Sequence, residues 1–141
     1  MKAEQLEAAR EFVKGKDVFV SLPTGSGKSL CYGCLPLVFD TLRQNDSNTK
    51  LIVVVVSPLR ALMLDQVQSF SAKGVDSAYV ADGEVGDGMI DQVNQGSISL
   101  VFMSPESLVG CCQWREMFRS PVYRTNLVAL IVDEAHCIEK W

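Results

Sequence analysis

The residues able to do chemistry begin with Ser21-Leu22-Pro23-Thr24-Gly25-Ser26-Gly27-Lys28-Ser29. A short β-branched and aromatic run, Asp17-Val18-Phe19-Val20, precedes them, and an apolar stretch of helical length follows. Strand, glycine loop, Lys-Ser and helix is the layout of a phosphate-binding loop. A helix N-terminus has unpaired N–H groups and a partial positive charge, which attract anions. Gly25 and Gly27 let the backbone curl so that successive N–H groups face inward. Lys28 adds a full charge suited to β- and γ-phosphates, and the Ser29 hydroxyl suits Mg²⁺. Leu22 stands where the first glycine of the pattern belongs. The alternative is a glycine-rich strand-to-helix turn with an incidental lysine.

A second group is Asp133-Glu134, just past the apolar run Leu127-Val-Ala-Leu-Ile-Val132. In open parallel sheets, ligands bind at the carboxyl ends of the strands. Beside a phosphate site, one carboxylate can hold Mg²⁺ while the other orients and deprotonates the attacking water. The alternative is a cap on the next helix. His136 is the single histidine. It is either an ordinary packed or exposed side chain or a link from the nucleotide site to the rest of the machine. Ser57-Pro58-Leu59-Arg60 and Ser104-Pro105-Glu106 each start a helix after a strand. Such starts offer N–H groups to phosphates, and Arg60 adds charge, yet they are also ordinary α/β turns.

The elements that must position these residues alternate. Residues 3–14 read as a helix with Leu6, Ala9 or Arg10, and Val13 on one face, stopped by Gly15. Val18 to Val20 reads as the first strand. Lys28 to about Arg43 reads as a helix kinked or broken near Pro36. Asn45–Asn48 is a polar loop. Leu51–Val56 is six apolar residues without alternation, the pattern of a strand covered on both faces. Leu59–Ala72 is a helix with Leu62, Val67 and Phe70 as core candidates. Ser77–Val80 is a short strand, Asp82–Gly88 a loop, Met89–Asn94 a short helix and Ile98–Met103 a buried strand. Residues 106–126 hold one or two short helices with Leu108, Trp114 and Phe118 inward. The expected fold is α/β with a mostly parallel sheet sandwiched by helices.

Composition fits a globular domain: 141 residues, 48% hydrophobic and 21% charged. A net charge of −4 and a pI near 4.9 argue against a surface that is basic all over, but not against a local DNA track. The five cysteines lack zinc-ligand spacing; Cys31-x-x-Cys34 has no second pair, and Cys111-Cys112 is vicinal. Reduced, buried thiols are expected, and no structural metal. With no signal peptide and no apolar run near ~18 residues, the expectation is an intracellular protein without a membrane segment.

Together these stretches resemble the first motor domain of a superfamily 2 helicase, specifically of the RecQ family of DNA helicases. Residues 22–32 resemble motif I of that family, including Leu22 and Cys31. Ser57–Val67 resembles motif Ia, Phe102–Glu106 motif Ib and Asp133-Glu-Ala-His-Cys137 motif II. The resemblance covers essentially the whole chain, 1–141, as a helicase ATP-binding domain of RecA-like fold. It implies that Gln5 reads adenine and that Thr24, Gly25, Ser26 and Gly27 cradle the phosphates of ATP. Lys28 meets the β/γ-phosphates, Ser29 and Asp133 hold Mg²⁺, and Glu134 is the catalytic base. Ser57, Arg60, Ser104 and Pro105 line the single-stranded DNA path. His136 and Trp141 couple DNA to ATP. The implied partners are single-stranded or forked DNA and a second motor domain, with 3′-to-5′ unwinding, roles in DNA repair and recombination, and a nuclear location in a eukaryote.

Arg60 departs from the family's usual aliphatic residue, and Cys31–Pro36 is one residue longer than the common form. The aromatic that stacks on adenine upstream of Gln5, motif III, and the second motor domain with its arginine finger lie outside these residues. The strand after motif II, which in this class lies between the motif I and motif II strands, is also outside. A hole, or a wrongly closed gap, in the middle of the sheet, a marginal and aggregation-prone fragment and turnover near background are therefore expected, since an arginine finger is worth ~10³–10⁵ in rate. A non-catalytic nucleotide- or partner-binding module descended from a helicase is the alternative. A GTPase would need Asn-Lys-x-Asp, which is absent, and a kinase has no need of Asp-Glu-Ala-His.

Overall fold

The computed structural model describes residues 1–43, 49–81, 84–85 and 88–140. The loop expected at Asn45–Asn48, part of the one at 82–88, and Trp141 lie outside them. The chain divides into two compact units, Met1–Asn45 and Asp46–Trp141, each taken by itself below.

The first unit contains α1 (Ala3–Val13), α2 (Ser29–Gly33) and α3 (Leu35–Leu42). The α1 helix stops where Gly15 takes φ +87°, its N–H donating to Phe12 O at 2.9 Å. The buried positions of α1 are Gln5 and Ala9, whereas Leu6, expected inside, is 50% exposed. The face is rotated because the Gln5 amide finds hydrogen-bond partners inside, as described below. The expected break near Pro36 occurs: Cys34 separates α2 from α3, and Pro36 sits in the first turn of α3, where a missing N–H costs little. The Phe12 and Phe39 rings meet edge to face, 6.2 Å between centroids.

The strand expected at Val18–Val20 does not form. The segment is irregular, and Phe19 is 85% exposed. Its β-branched residues suit a strand, but a strand needs a neighbour's N–H and C=O groups, and no strand among the described residues pairs with it.

The second unit is built on a five-stranded sheet of order β3-β2-β4-β1-β5. The strands are β1 (Ile52–Val56), β2 (Ser77–Ala81), β3 (Glu84–Val85), β4 (Leu100–Met103) and β5 (Leu127–Val132). All adjacent pairs are parallel except β2–β3, so a two-residue antiparallel strand lies inside the stretch read as a loop. The α/β architecture with a mostly parallel sheet is as expected.

One face of this sheet packs Ile52, Val54, Ala78, Val80, Val101 and Met103 against Val93, Trp114, Met117 and Tyr123. Those four come from α5 (Ile90–Asn94), α7 (Cys112–Arg119) and α8 (Pro121–Asn126). With α6 (Pro105–Gly110), three short helices occupy the stretch where one or two were expected. Ser104 and Ser120 cap α6 and α8, each followed by proline at the first helical position. Of the inward residues expected here, Trp114 is fully buried, and Leu108 and Phe118 are partly buried. On the opposite face lies α4 (Arg60–Ala72), where Phe70 stacks on Phe102 at 6.3 Å. Met63 and Phe70 are its buried residues; Leu62 and Val67 are only half-buried. None of the five cysteines is fully buried as expected: Cys112 is exposed and the others are half-buried, all as free thiols.

The gap expected in the middle of the sheet is not seen: the five strands are contiguous among the described residues, and β5 forms an open edge instead. The β5 strand pairs with β1 through Val53↔Ala129 to Val56↔Val132 and has no partner beyond it among the described residues. Leu130 and Val132, 54% and 40% exposed, share one face of this uncharged edge. Such edges template association. Placing lysine at both positions (L130K with V132K) is expected to suppress concentration-dependent light scattering of the chain; unchanged scattering would remove the edge as its cause.

Tyr123 is fully buried and its hydroxyl donates to Val93 O at 2.6 Å. Burial pushes its pKa above the ordinary tyrosine value of 10. The folded pKa is raised, so this contribution to stability is complete below the unfolded pKa and fades as pH rises past it. Urea melts should show stability falling above about pH 10. In Tyr123→Phe the fall is shallower, at a cost of about 1 kcal/mol at neutral pH.

Candidate functional site

The glycine loop belongs to the first unit. Gly25 and Gly27 take φ +78° and +83°, values that β-carbon-bearing residues rarely adopt. Ser26 N donates to Pro23 O at 3.1 Å and closes the turn. Leu30 N and Cys31 N donate to Gly27 O and Lys28 O at 3.0 and 2.9 Å, which starts α2 directly at Lys28-Ser29. A β-carbon on Gly27 would stand 2.8 Å from Gln5 Nε2, so this glycine also permits a close approach.

Gln5 is 2% exposed. Its Oε1 accepts from Lys2 N at 2.8 Å and caps α1. Its Nε2 donates to Ser26 O at 3.0 Å and to Gly27 O at 2.9 Å. The residue that the resemblance assigns to adenine thus spends both amide hydrogens on the loop. The loop also holds an orphan: Ser26 Oγ is buried without a hydrogen-bond partner among the described residues. A curled backbone with a buried hydroxyl in need of a partner fits a polyphosphate. Burial pushes the Cys31 and Cys34 thiols up from their ordinary pKa, so the helix behind the loop carries neutral sulfur.

In the second unit, hydrogen bonds continue the sheet one residue past its strands. Asp133 N donates to Val56 O at 2.9 Å, Ser57 N to Met103 O at 3.0 Å and Ser104 N to Val80 O at 2.9 Å. Asp133, Ser57 and Ser104 therefore stand on the carboxyl ends of the neighbouring strands β5, β1 and β4. This is the rim where open parallel sheets bind ligands.

The side chains on this rim differ in what holds them. Ser104 Oγ accepts from Ser107 N at 3.2 Å and lies 2.9 Å from Ser107 Oγ, and Pro105 is buried. Ser57 Oγ is buried with no hydrogen-bond partner among the described residues, an orphan like Ser26. Arg60 is exposed, its guanidinium 5.9 Å from the centre of the Tyr79 ring.

Asp133 and Glu134 turn the chain away from the sheet. Glu134 N donates to Asp133 Oδ1 at 3.0 Å, and Cys137 N donates to Glu134 O at 2.8 Å. Glu134 takes φ +52°, the one non-glycine residue with positive φ among those described. Its Oε2 lies 3.3 Å from Nδ1 of His136, which is largely exposed. The structure therefore brings Gln5 to Ser26 and Gly27, and His136 to Glu134. Lys28 and Ser29 belong to the first unit and Asp133 and Glu134 to the second. Among the described residues no three His, Cys, Asp or Glu side chains cluster as a metal cage; Mg²⁺ is commonly held by one or two side chains together with phosphates and water. Sequence reasoning missed the bond from Gln5 to the loop, for which no pattern exists, and the left-handed Glu134, for which glutamate is a poor signal.

A left-handed glutamate costs roughly 1–2 kcal/mol, part of which glycine returns through its freer unfolded chain. Glu134→Gly is expected to be neutral or stabilising by up to about 1 kcal/mol in urea melts. A clear loss of stability would mean that the turn depends on the Glu134 side chain.

Comparison with known proteins agrees with the geometry. A family profile described as "DEAD/DEAH box helicase" matches residues 2–141. The chain is 34% identical to "ATP-dependent helicase SGS1" of Saccharomyces cerevisiae, over 99% of this chain and 10% of that protein. It is 36% identical to "ATP-dependent helicase wrn-1" of Caenorhabditis elegans, over 99% of this chain and 12% of that protein. It is 30% identical to "ATP-dependent DNA helicase RecQ" of Haemophilus influenzae, over 97% of this chain and 20% of that protein. The chain thus spans 10–20% of the length of these relatives. By the near-complete match to its profile, the chain belongs to the DEAD/DEAH box helicase family, with RecQ-type helicases among its relatives.

Proposed function

We propose that these residues are the nucleotide-binding part of an ATP-driven DNA helicase motor of RecQ type. One observation carries the reading: the curled Gly25–Gly27 loop, running into α2 at Lys28-Ser29 and holding a buried, unpartnered Ser26 hydroxyl. Thr24 to Gly27 wrap the phosphates of ATP, Lys28 supplies charge to the β/γ-phosphates, and Gln5, at the position that the resemblance assigns to adenine, is held against the loop. Ser29 and Asp133 hold Mg²⁺, which when bound neutralises charge between the β- and γ-phosphates. Glu134 orients the attacking water and accepts its proton, with His136 alongside to relay the state of the site. Ser57, Arg60, Ser104 and Pro105 mark the DNA path along the rim, Arg60 being the exposed side chain among them, and the orphan Ser57 hydroxyl suits a phosphate oxygen. Trp141 belongs with the coupling group. The partners are single-stranded or forked DNA and a second motor domain, and unwinding runs 3′ to 5′. The location is intracellular, and nuclear in a eukaryote; no helix among the described residues is long and apolar enough to cross a membrane.

The 141 residues alone bind nucleotide weakly and do not unwind DNA. The test is ATP·Mg²⁺ binding by the chain beside Lys28→Ala, followed by hydrolysis with single-stranded DNA. Binding that falls at least about tenfold in the variant, a loss of about 1.4 kcal/mol, is the expected result. Equal binding by the two proteins would overturn the phosphate-loop assignment. DNA-stimulated turnover by the isolated chain would overturn the claim that it needs a second motor domain.

A further inference from the structure

We propose that Gln5 is a positioning residue for the phosphate loop, setting affinity for a polyphosphate whether or not a base is attached. The proposal rests on the phosphate-loop reading above and deepens it. The Gln5 amide has two hydrogens, and both are committed, to Ser26 O and to Gly27 O. A trans peptide is planar, with its C=O and N–H pointing in opposite directions. Fixing the Ser26 carbonyl on Gln5 turns the Gly27 N–H away from Gln5. Fixing the Gly27 carbonyl turns the Lys28 N–H away in the same manner. Neither N–H has an intramolecular acceptor among the described residues. One buried side chain thus orients two successive peptide planes of the loop, and those are the donors an anion would meet.

The arrangement is rigid at its other end too. Oε1 of Gln5 takes Lys2 N and so ties the amide to the first turn of α1. The absent β-carbon of Gly27 leaves room for the contact, since one would stand 2.8 Å from Nε2. The brace is made of the chain's own atoms and needs no nucleotide to complete it. Loop amides aimed in advance need no ordering when a phosphate binds, which raises affinity. A glutamine acting only on adenine would have no such effect on a ligand without a base.

Gln5→Glu separates the brace from the cap. A glutamate at this position still accepts from Lys2 N, but turns a carboxylate toward two carbonyl oxygens. The ¹⁵N-labelled 141-residue chain is titrated with inorganic tripolyphosphate and, separately, with adenosine, following the amide signals. Tripolyphosphate binding at least about tenfold weaker in Gln5→Glu is the expected result, the worth of roughly two hydrogen bonds. Weakening of adenosine alone, with tripolyphosphate unchanged, overturns the brace and leaves a base reader.

Amide exchange keeps the two readings apart. If the unaltered chain binds no tripolyphosphate, the phosphate-loop reading fails, and exchange at residues 26–30 still decides the brace. Faster exchange there in Gln5→Glu, with α1 unchanged, supports it; equal exchange overturns it. Should Gln5→Glu unfold α1, Gln5→Met removes the donor without a charge. The same local loosening then supports the brace, and its absence overturns it.

Discussion

Parallel pairing between β1 and its two neighbours is the constraint on which the second unit depends. Parallel strands run one way, so their carboxyl ends share one rim, and whatever follows each strand is delivered to that rim. Val53 to Val56 pair with β4 on one side and β5 on the other, in register. That register is why Ser104, Ser57 and Asp133, distant in sequence, each donate one further hydrogen bond across the ladder and emerge side by side. The same pairing forces a strand covered on both faces, hence the unbroken apolar run of β1. Chemistry at the rim and hydrophobicity in the strands follow from one hydrogen-bond pattern.

What was legible in the sequence is what this pattern writes locally. Leu51–Val56 reads as a strand because burial on both faces removes every polar residue; Leu127–Val132 is equally apolar although one face of β5 stands open. The α4 helix and the short helix at Ile90–Asn94 read correctly because their ends carry ordinary boundary signals. The glycine loop was legible because its shape needs residues without a β-carbon. The Val18–Val20 run has the composition of a strand but no partner, and pairing is a non-local property that composition does not record. Leu6 and Gln5 exchanged their expected roles for a similar reason. Helical periodicity places a leucine inward by default, whereas a glutamine with three hydrogen bonds inside can take the buried place instead.

The same logic explains which parts of the site stayed hidden. Motif spacing named Lys28, Ser29, Asp133 and Glu134 without showing how each is held. Ser104 looks from sequence like Ser57, since both stand before a proline at a helix start. In the structure Ser104 caps its helix, while the Ser57 hydroxyl is buried without a partner. A buried hydroxyl with nothing to bond is unfavourable by roughly 1–3 kcal/mol. Its presence at the rim marks Ser57 as the side chain there with an unmet need.

The two units also differ in how their chemistry is secured. The hydrogen bonds described for the glycine loop come from within the first forty-five residues: the turn to Pro23, the start of α2 and the Gln5 amide. The acidic turn, by contrast, inherits its place from the sheet through Asp133 N and Val56 O. It then spends conformational energy to leave the strand, with Glu134 in the left-handed region. A loop held by bonds within its own unit keeps its shape so long as α1 and α2 are folded. An acidic turn held by a β5 edge strand keeps its shape only while that edge stays paired with β1. Loss of sheet pairing would therefore reach the carboxylates before it reached the phosphate cradle.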